Sequence, residues 1–156
     1  MTLEELFAPF GLKVPPLRVL GLTLDSRRVE PGYVFVAVPG VPLPHRKPLD
    51  GHDFIPEALA RGAIAVVGER ELSLPVPYLR VGDAREALAH LARHFFGEPD
   101  RKLALLGITG SKGKSTTASL LHHLLQAGEK PAALLSTVGL RLGEEARPNI
   151  GHFTTP

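Results

Sequence analysis

The chain has 156 residues, of which 44% are hydrophobic, and a formal net charge of +2 from 18 basic and 16 acidic side chains. This length allows one full domain, or one small domain and part of a second. The charge is too small and too scattered to indicate a nucleic-acid-binding protein. The sequence has no cysteine, which excludes disulfides and thiolate metal sites, and no apolar run approaches the roughly 20 residues of a membrane span.

The first 97 residues carry the apolar patterns of a small α/β domain. Thr2 and Glu5 form a capping-box pattern, which predicts a short helix at the start of the chain. Asp83 and Glu86 form a second capping-box pattern and predict a longer helix. Short segments rich in β-branched residues predict strands between these helices. In chain order we predict a helix to residue 7, strands at 17–24 and 33–38, a helix at 54–61 ended by Gly62, strands at 63–67 and 78–81, and a helix from 84 to about 96.

The sequence Gly97-Glu98-Pro99 ends this pattern and predicts a domain boundary, with one domain at 1–97 and a second at 98–156. The second domain begins as a β-α-β unit, whose strands must be parallel. A parallel sheet of two strands cannot bury both of its faces. We therefore expect an α/β protein whose second domain is the incomplete beginning of a larger one with a parallel sheet. Its predicted elements are a strand at 103–108, a helix at 114–127 and a strand at 132–138.

An apolar strand, a glycine-rich turn and a helix beginning at Lys114 together form the pattern of a phosphate-binding site. Backbone N–H groups of such a turn and the positive end of the helix converge on an anion. Lys114 would lie near the outer phosphates of a nucleoside triphosphate, and the Ser115 hydroxyl could be a ligand of Mg²⁺. The predicted ATP-binding residues are Thr109, Gly110, Ser111, Lys112, Gly113, Lys114 and Ser115.

The spacing of this turn departs from the strict Walker A pattern. That pattern needs a glycine at position 108, where this chain has Ile108, and Gly107 lies one residue too early. The alternative interpretation is a strand-to-helix turn that binds no ligand. The Lys-Ser pair at the start of the helix favours the phosphate site.

Two polar motifs in the first domain have both a functional and a purely structural interpretation. Asp25, Ser26 and Arg27 follow a predicted strand and could bind a polar ligand, but a turn in which Asp25 or Ser26 bonds to nearby backbone is favoured. The motif Asp50-Gly51-His52 could mark a catalytic or metal-binding group. A turn is again favoured there, with His52 or Asp53 capping the helix that follows.

Taken together, these motifs resemble those of the Mur ligases of peptidoglycan synthesis. Their order and spacing cover most of residues 20 to 120. Two branches of the family carry the Asp-Ser-Arg and Asp-Gly-His blocks: the ligases that add the third residue of the stem peptide, and those that add D-alanyl-D-alanine. The sequence Thr154-Thr155-Pro156 and the 109–115 turn are similar to the former branch, the UDP-N-acetylmuramoyl-dipeptide:amino-acid ligases. The matching blocks are 24–27, 31–37, 50–55 and 109–115.

The resemblance implies a role for several residues. Residues 109–115 would hold the phosphates of ATP, with Lys114 as the catalytic lysine near the γ-phosphate and Ser115 on Mg²⁺. The uridine nucleotide sugar would contact Leu24 and Ser26 from the first domain, and Thr154 and Thr155 from the second. The implied chemistry is phosphorylation of the substrate carboxylate by ATP, followed by attack of an amino acid's amine on the acyl phosphate.

The resemblance also implies a cytoplasmic enzyme, which we expect to act as a monomer on UDP-MurNAc-dipeptide and an amino acid, without nucleic-acid or membrane partners. We expect residues 1–156 to be a fragment that is inactive alone. The alternatives are the D-alanyl-D-alanine-adding ligases, folylpolyglutamate synthetase, which does not carry the N-terminal Asp-Ser-Arg block, and a P-loop NTPase module that is not a ligase. The sequence leaves open whether diaminopimelate, lysine or ornithine is added.

Overall fold

The computed structural model describes residues 1–40, 49–143 and 145–147. The chain divides into two compact units, Met1–Ala104 and Leu105–Pro156. The first unit extends past the predicted boundary at residue 97 because Arg93 at the end of a helix binds Asp100, with Nε and Oδ2 2.8 Å apart. The functional roles assigned to the two domains stay predictions. No helix in the described part of the chain is long and apolar enough to span a membrane.

The first unit is built on a parallel sheet of four strands in the order β1-β2-β3-β4. All four strands were expected, and each is shorter than its predicted segment. The α/β class of the prediction is therefore confirmed. The strands are β1 (Gly21–Thr23), β2 (Tyr33–Val36), β3 (Ala65–Gly68) and β4 (Tyr78–Arg80); the helices are α1 (Leu3–Phe7), α2 (Ile55–Ala60) and α3 (Ala84–Phe95).

Helices cover both faces of this sheet, so the central strands are apolar on both sides. Val34 and Val36 of β2 point into a cluster with α1 and α3, whereas Phe35 between them packs into a second cluster with α2. Side chains along a strand alternate between faces, and both faces of β2 are buried. The unit thus has three layers, with the sheet in the middle.

Local capping fixes where the helices begin and end. The Thr2 hydroxyl accepts from the Glu5 amide at 3.2 Å while the Glu5 carboxylate accepts from the Thr2 amide at 2.7 Å, so the predicted capping box is confirmed. Asp83 accepts from the amides of Arg85 and Glu86 and caps α3. Gly62 follows α2 with φ +96°, a conformation that favours glycine.

The described residues of the second unit form one helix and an antiparallel sheet. The helix α4 (Lys114–Ala127) was expected, and the strands are β5 (Ala133–Ser136), β6 (Gly139–Leu142) and β7 (Glu145–Arg147). The predicted strand at 103–108 and its parallel pairing with the segment at 132–138 are wrong. Residues 103–113 form no helix or strand, and β5 pairs with its neighbour along the chain instead.

The physical reason lies in what each pairing would bury. Leu103, Leu105 and Leu106 stay largely exposed, because no described element covers them. A parallel pair would have to close a long connection without burying these side chains. The hairpin between β5 and β6 needs only a short turn, which passes through Thr137 and Val138 to Gly139 at φ +153°.

Candidate functional site

The glycine-rich turn that precedes α4 has the geometry of an anion-binding loop. Gly110 and Gly113 have φ values of +151° and +79°, which residues with a Cβ rarely adopt. Apart from its chain neighbours, no atom lies within 4 Å of a Cβ built on Gly113. Glycine is therefore favoured here by the backbone conformation and not by a lack of space. The Lys114 ammonium donates to the carbonyl of Gly110 at 2.6 Å, which holds the charge over the turn.

The first turn of α4 is electrostatically suited to an anion. Its N-cap is Gly113, which has no side chain to satisfy the backbone N–H groups, and the first turn contains no acidic residue. These N–H groups and the helix dipole give this end a partial positive charge. Lys112 and Lys114 add two full charges beside it. A phosphate group is therefore a fitting ligand for this turn.

A second hydroxyl lies beside the predicted Mg²⁺ ligand. Ser115 Oγ is 3.3 Å from Oγ1 of Thr137, which lies in the turn between β5 and β6. The sequence analysis did not single out Thr137. One signal in the sequence could have indicated it: Thr137 is a hydroxyl residue directly after the strand that follows this helix. Neutral hydroxyl oxygens are ligands that Mg²⁺ accepts, so the residues present fit this cation at Ser115.

The predicted nucleotide-sugar residues of the first unit lie at the carboxyl edge of its parallel sheet, where ligands of open α/β sheets bind. Leu24 directly follows β1, and 57% of its surface is exposed. Ser26 is buried, and its hydroxyl donates to Oε2 of Glu57 at 2.6 Å. Glu57 lies in α2, so this bond ties the turn after β1 to that helix. Thr154 and Thr155 lie outside the described residues.

Asp25 forms the turn that was favoured over direct ligand binding. Its carboxylate accepts from the Arg27 amide at 3.1 Å and from the Arg27 guanidinium at 2.9 and 2.8 Å. The side-chain hydrogen bonds from Arg27 hold the pKa of Asp25 below its usual value, against the opposing effect of partial burial. These hydrogen bonds hold the turn, and with it the positions of Leu24 and Ser26 at the edge of the sheet.

The Asp50-Gly51-His52 motif forms a turn whose cap differs from the prediction. Asp50 caps the 3₁₀ turn Gly51–Phe54 by accepting from the His52 amide at 2.9 Å. The predicted cap of the following helix by His52 or Asp53 is wrong, because the chain enters α2 directly from this 3₁₀ turn, with Phe54 at the N-cap and no side-chain cap. The same carboxylate oxygen of Asp50 also accepts from Nδ1 of the His52 ring at 2.6 Å. Burial by itself raises the pKa of Asp50, but the hydrogen bonds from His52 and the charge of Arg70 outweigh it and lower the pKa.

Comparison with known proteins decides the family. The model described as "Mur ligase family, catalytic domain" matches residues 18–96, which is just over half of the chain. The chain belongs to the Mur ligase family. This confirms the resemblance inferred from the motifs.

Several Mur ligases are similar to the chain over most of its length. It is 48% identical over 129 residues to the UDP-N-acetylmuramoyl-L-alanyl-D-glutamate–2,6-diaminopimelate ligase of Aquifex aeolicus, covering 82% of this chain and 25% of that protein. It is 41% identical over 166 residues to the UDP-N-acetylmuramyl-tripeptide synthetase of Deinococcus radiodurans, covering 100% of this chain and 33% of that protein. The chain thus spans about a quarter to a third of the length of the curated relatives it matches.

Solved Mur ligase structures share the fold. A UDP-N-acetylmuramoyl-L-alanyl-D-glutamate–2,6-diaminopimelate ligase superposes with a TM-score of 0.71 at 26% identity, covering 95% of this chain and 30% of that one. The MurF ligase of Thermotoga maritima in complex with ADP superposes with a TM-score of 0.50 at 38% identity, covering 71% of this chain and 24% of that one.

Proposed function

We propose that the full-length protein carrying this chain is an ATP-dependent ligase that adds the third amino acid to UDP-N-acetylmuramoyl-L-alanyl-D-glutamate. One observation carries the proposal: relatives named for this reaction match the chain at 41–48% identity. The glycine-rich turn at the start of the 14-residue helix α4 supports it, because its geometry suits a phosphate group. The ADP in the similar Thermotoga structure supports ATP as the nucleotide.

The proposed reaction has two steps. The terminal carboxylate of the substrate attacks the γ-phosphorus of ATP, so that an acyl-phosphate bond forms, the bond to the β-phosphate oxygen breaks and ADP leaves. The amine of the amino acid then attacks the acyl carbon; phosphate leaves, the amine loses a proton and an amide remains. Lys114 would neutralise charge on the transferred phosphoryl group, and the backbone N–H groups of Gly113 to Ser115 would orient it. Mg²⁺ held at Ser115 would supply further charge neutralisation.

The first unit would bind the nucleotide sugar at the carboxyl edge of its sheet. Leu24 offers an exposed apolar surface for a base, and Ser26 can still accept a hydrogen bond because its proton is donated to Glu57. Thr154 and Thr155 would contribute from the second domain. We further propose that the enzyme is cytoplasmic, in keeping with a chain without cysteine, and that it acts as a monomer.

Release of ADP by the full-length protein tests this proposal. We expect release that requires both the UDP-sugar dipeptide and an amino acid. Lys114→Ala should lower kcat by about 10²–10³-fold, as removal of one transition-state charge contact does. Lys130→Ala is the matched control, since Lys130 is exposed and follows α4 at its far end. Equal activity of wild type and the Lys114 variant would contradict the assigned role of Lys114.

A second candidate function is addition of D-alanyl-D-alanine to the tripeptide. It is favoured by similar solved structures named MurF, one of which is 38% identical to this chain. The two candidates differ in the substrate that supports ADP release. Activity with the dipeptide and a single amino acid supports the first, and activity restricted to the tripeptide with D-alanyl-D-alanine supports the second.

A further inference from the structure

The chain leaves the end of β2 and returns to it at a narrow base, which we call the neck: Val38, Pro39, Asp50 and Gly51. Pro39 and Asp50 form an isolated antiparallel bridge. The Gly51 amide donates to the Val38 carbonyl at 3.0 Å. The two sides of the neck are therefore held to each other by backbone contacts, and both lie at the carboxyl edge of the sheet.

Two arginines from other elements donate hydrogen bonds to the neck. Arg70, in the connection between β3 and β4, donates through Nη2 to Oδ2 of Asp50 at 2.5 Å. Arg85, in the first turn of α3, donates through Nη2 to the Pro39 carbonyl at 2.6 Å. Each arginine thus contacts one side of the neck. Neither contact contributes to the apolar clusters of the first unit, because both guanidinium groups lie at the exposed surface.

A buried histidine fixes Arg70 relative to the neck. The His52 side chain is only 1% exposed, and its Nε2 accepts from the amides of Glu69 at 2.9 Å and Arg70 at 3.3 Å. Because Nε2 accepts, the ring proton belongs on Nδ1, which donates to Asp50 at 2.6 Å. His52 therefore links Asp50 of the neck to the backbone that carries the Arg70 guanidinium.

The position of the neck connects it to ligand binding. Parallel strands end at one edge of the sheet, and β1 lies directly beside β2 with Thr23 opposite Phe35. Leu24 follows Thr23, so it lies at the same edge as the neck and on the neighbouring strand. A displaced neck would alter the surface that a ligand at Leu24 meets.

We propose that Arg70 and Arg85 are positioning residues, which hold the neck so that the carboxyl edge of the sheet is shaped for the nucleotide sugar before it binds. This inference rests on the proposed function. The two arginines would act on affinity for that substrate, since preorganisation lowers the cost of binding. They would not act on phosphoryl transfer, because their contacts lie within the first unit, whereas the phosphate-binding turn belongs to the second.

Steady-state kinetics of the full-length protein test the inference. Arg70→Ala and Arg85→Ala should each raise KM for the UDP-sugar dipeptide by about three- to tenfold, as expected for loss of one charged hydrogen bond. The KM for ATP and kcat should stay within twofold of wild type, because the two arginines would act only on binding of the UDP-sugar. Arg70→Lys should recover part of the loss, because an ammonium can still pair with Asp50.

The matched control is Arg80→Ala. Arg80 is exposed like Arg70 and pairs with Glu71 of the same connection, but it does not contact the neck. Unchanged KM values in both neck variants, or equal changes in Arg80→Ala, would overturn the inference while leaving the proposed ligase intact. An equal fall of kcat with every substrate would overturn it too, because that pattern indicates a general structural role. A wild-type protein that never uses the UDP-sugar would refute the proposed function, and the inference with it.

Discussion

At the scale of single residues, two glycines make room for the His52 network. A Cβ on Gly51 would lie 2.5 Å from the Val38 amide nitrogen, and one on Gly68 would lie 2.7 Å from Nε2 of His52 and 2.9 Å from the Tyr78 hydroxyl. Gly68 lies at the end of β3, next to the residues whose amides donate to His52. Side chains at these positions would therefore push apart the contacts that join the neck to the β3–β4 connection.

Gly68→Ala should destabilise the protein by about 1–3 kcal/mol, the usual cost of overpacking a tight site. The control is Gly82→Ala, because no atom lies within 4 Å of a Cβ built there and its φ is not in the left-handed region. The control should change the free energy of unfolding by no more than about 0.5 kcal/mol. Urea unfolding followed by circular dichroism measures both. Equal effects of the two variants would show that Gly68 is not a tight site.

The residue-scale features that could be predicted are those with local partners. The turn at Asp25 and the turn at Asp50-Gly51 follow from side chains that bond to backbone two residues away. The partners of Nε2 of His52 could not be predicted, because they lie 17 and 18 residues further along the chain. Packing of β3 beside β2 brings them together. The same holds for Ser26 and Glu57, which are 31 residues apart.

At the scale of elements, two side chains accept from the first backbone amides of α3: Oε1 of Glu69 accepts from the Ala84 amide at 2.8 Å, and Asp83 accepts from the next two. Asp83 accepts from the amides of Arg85 and Glu86 at 2.8 and 3.0 Å. The same helix buries Ala84, Ala87 and Leu91 against the sheet and carries Arg85, which contacts the neck. The start of α3 therefore matters both for the core and for the position of the neck.

Asp83→Ala should lower the free energy of unfolding by about 1 kcal/mol, the typical cost of losing an N-cap. Asp83→Asn should cost at most a few tenths of a kcal/mol, because asparagine caps helices nearly as well as aspartate. Thermal and urea unfolding of the two variants can be compared directly. An alanine variant as stable as the asparagine variant would show that the cap does not limit the stability of α3.

The sequence predicted the elements of the first unit better than those of the second for a physical reason. In the first unit both sheet faces are buried within the chain, so apolar runs mark true strands. In the second unit the apolar segment at 103–108 is as strand-like in composition, but no described element pairs with it or covers it. Apolar composition indicates that a segment can be buried, not which partner buries it.

At the scale of the whole molecule, the chain has two candidate binding surfaces, one in each unit. The first unit presents the carboxyl edge of a parallel sheet with Leu24, Ser26 and the neck. The second presents the glycine-rich turn at the start of α4, with Lys114 and Ser115. A ligase that joins a nucleotide-linked carboxylate to an amine needs both surfaces, one for the acceptor substrate and one for ATP.

The most direct test of this account is the mass of the product formed by the full-length protein. We predict that UDP-N-acetylmuramoyl-L-alanyl-D-glutamate, incubated with ATP, Mg²⁺ and diaminopimelate, lysine or ornithine in turn, gains the mass of one amino-acid residue with one of them. ADP and phosphate should appear in amounts equal to the product. Failure of the dipeptide substrate to react with any amino acid, together with turnover of the tripeptide and D-alanyl-D-alanine, would contradict the account.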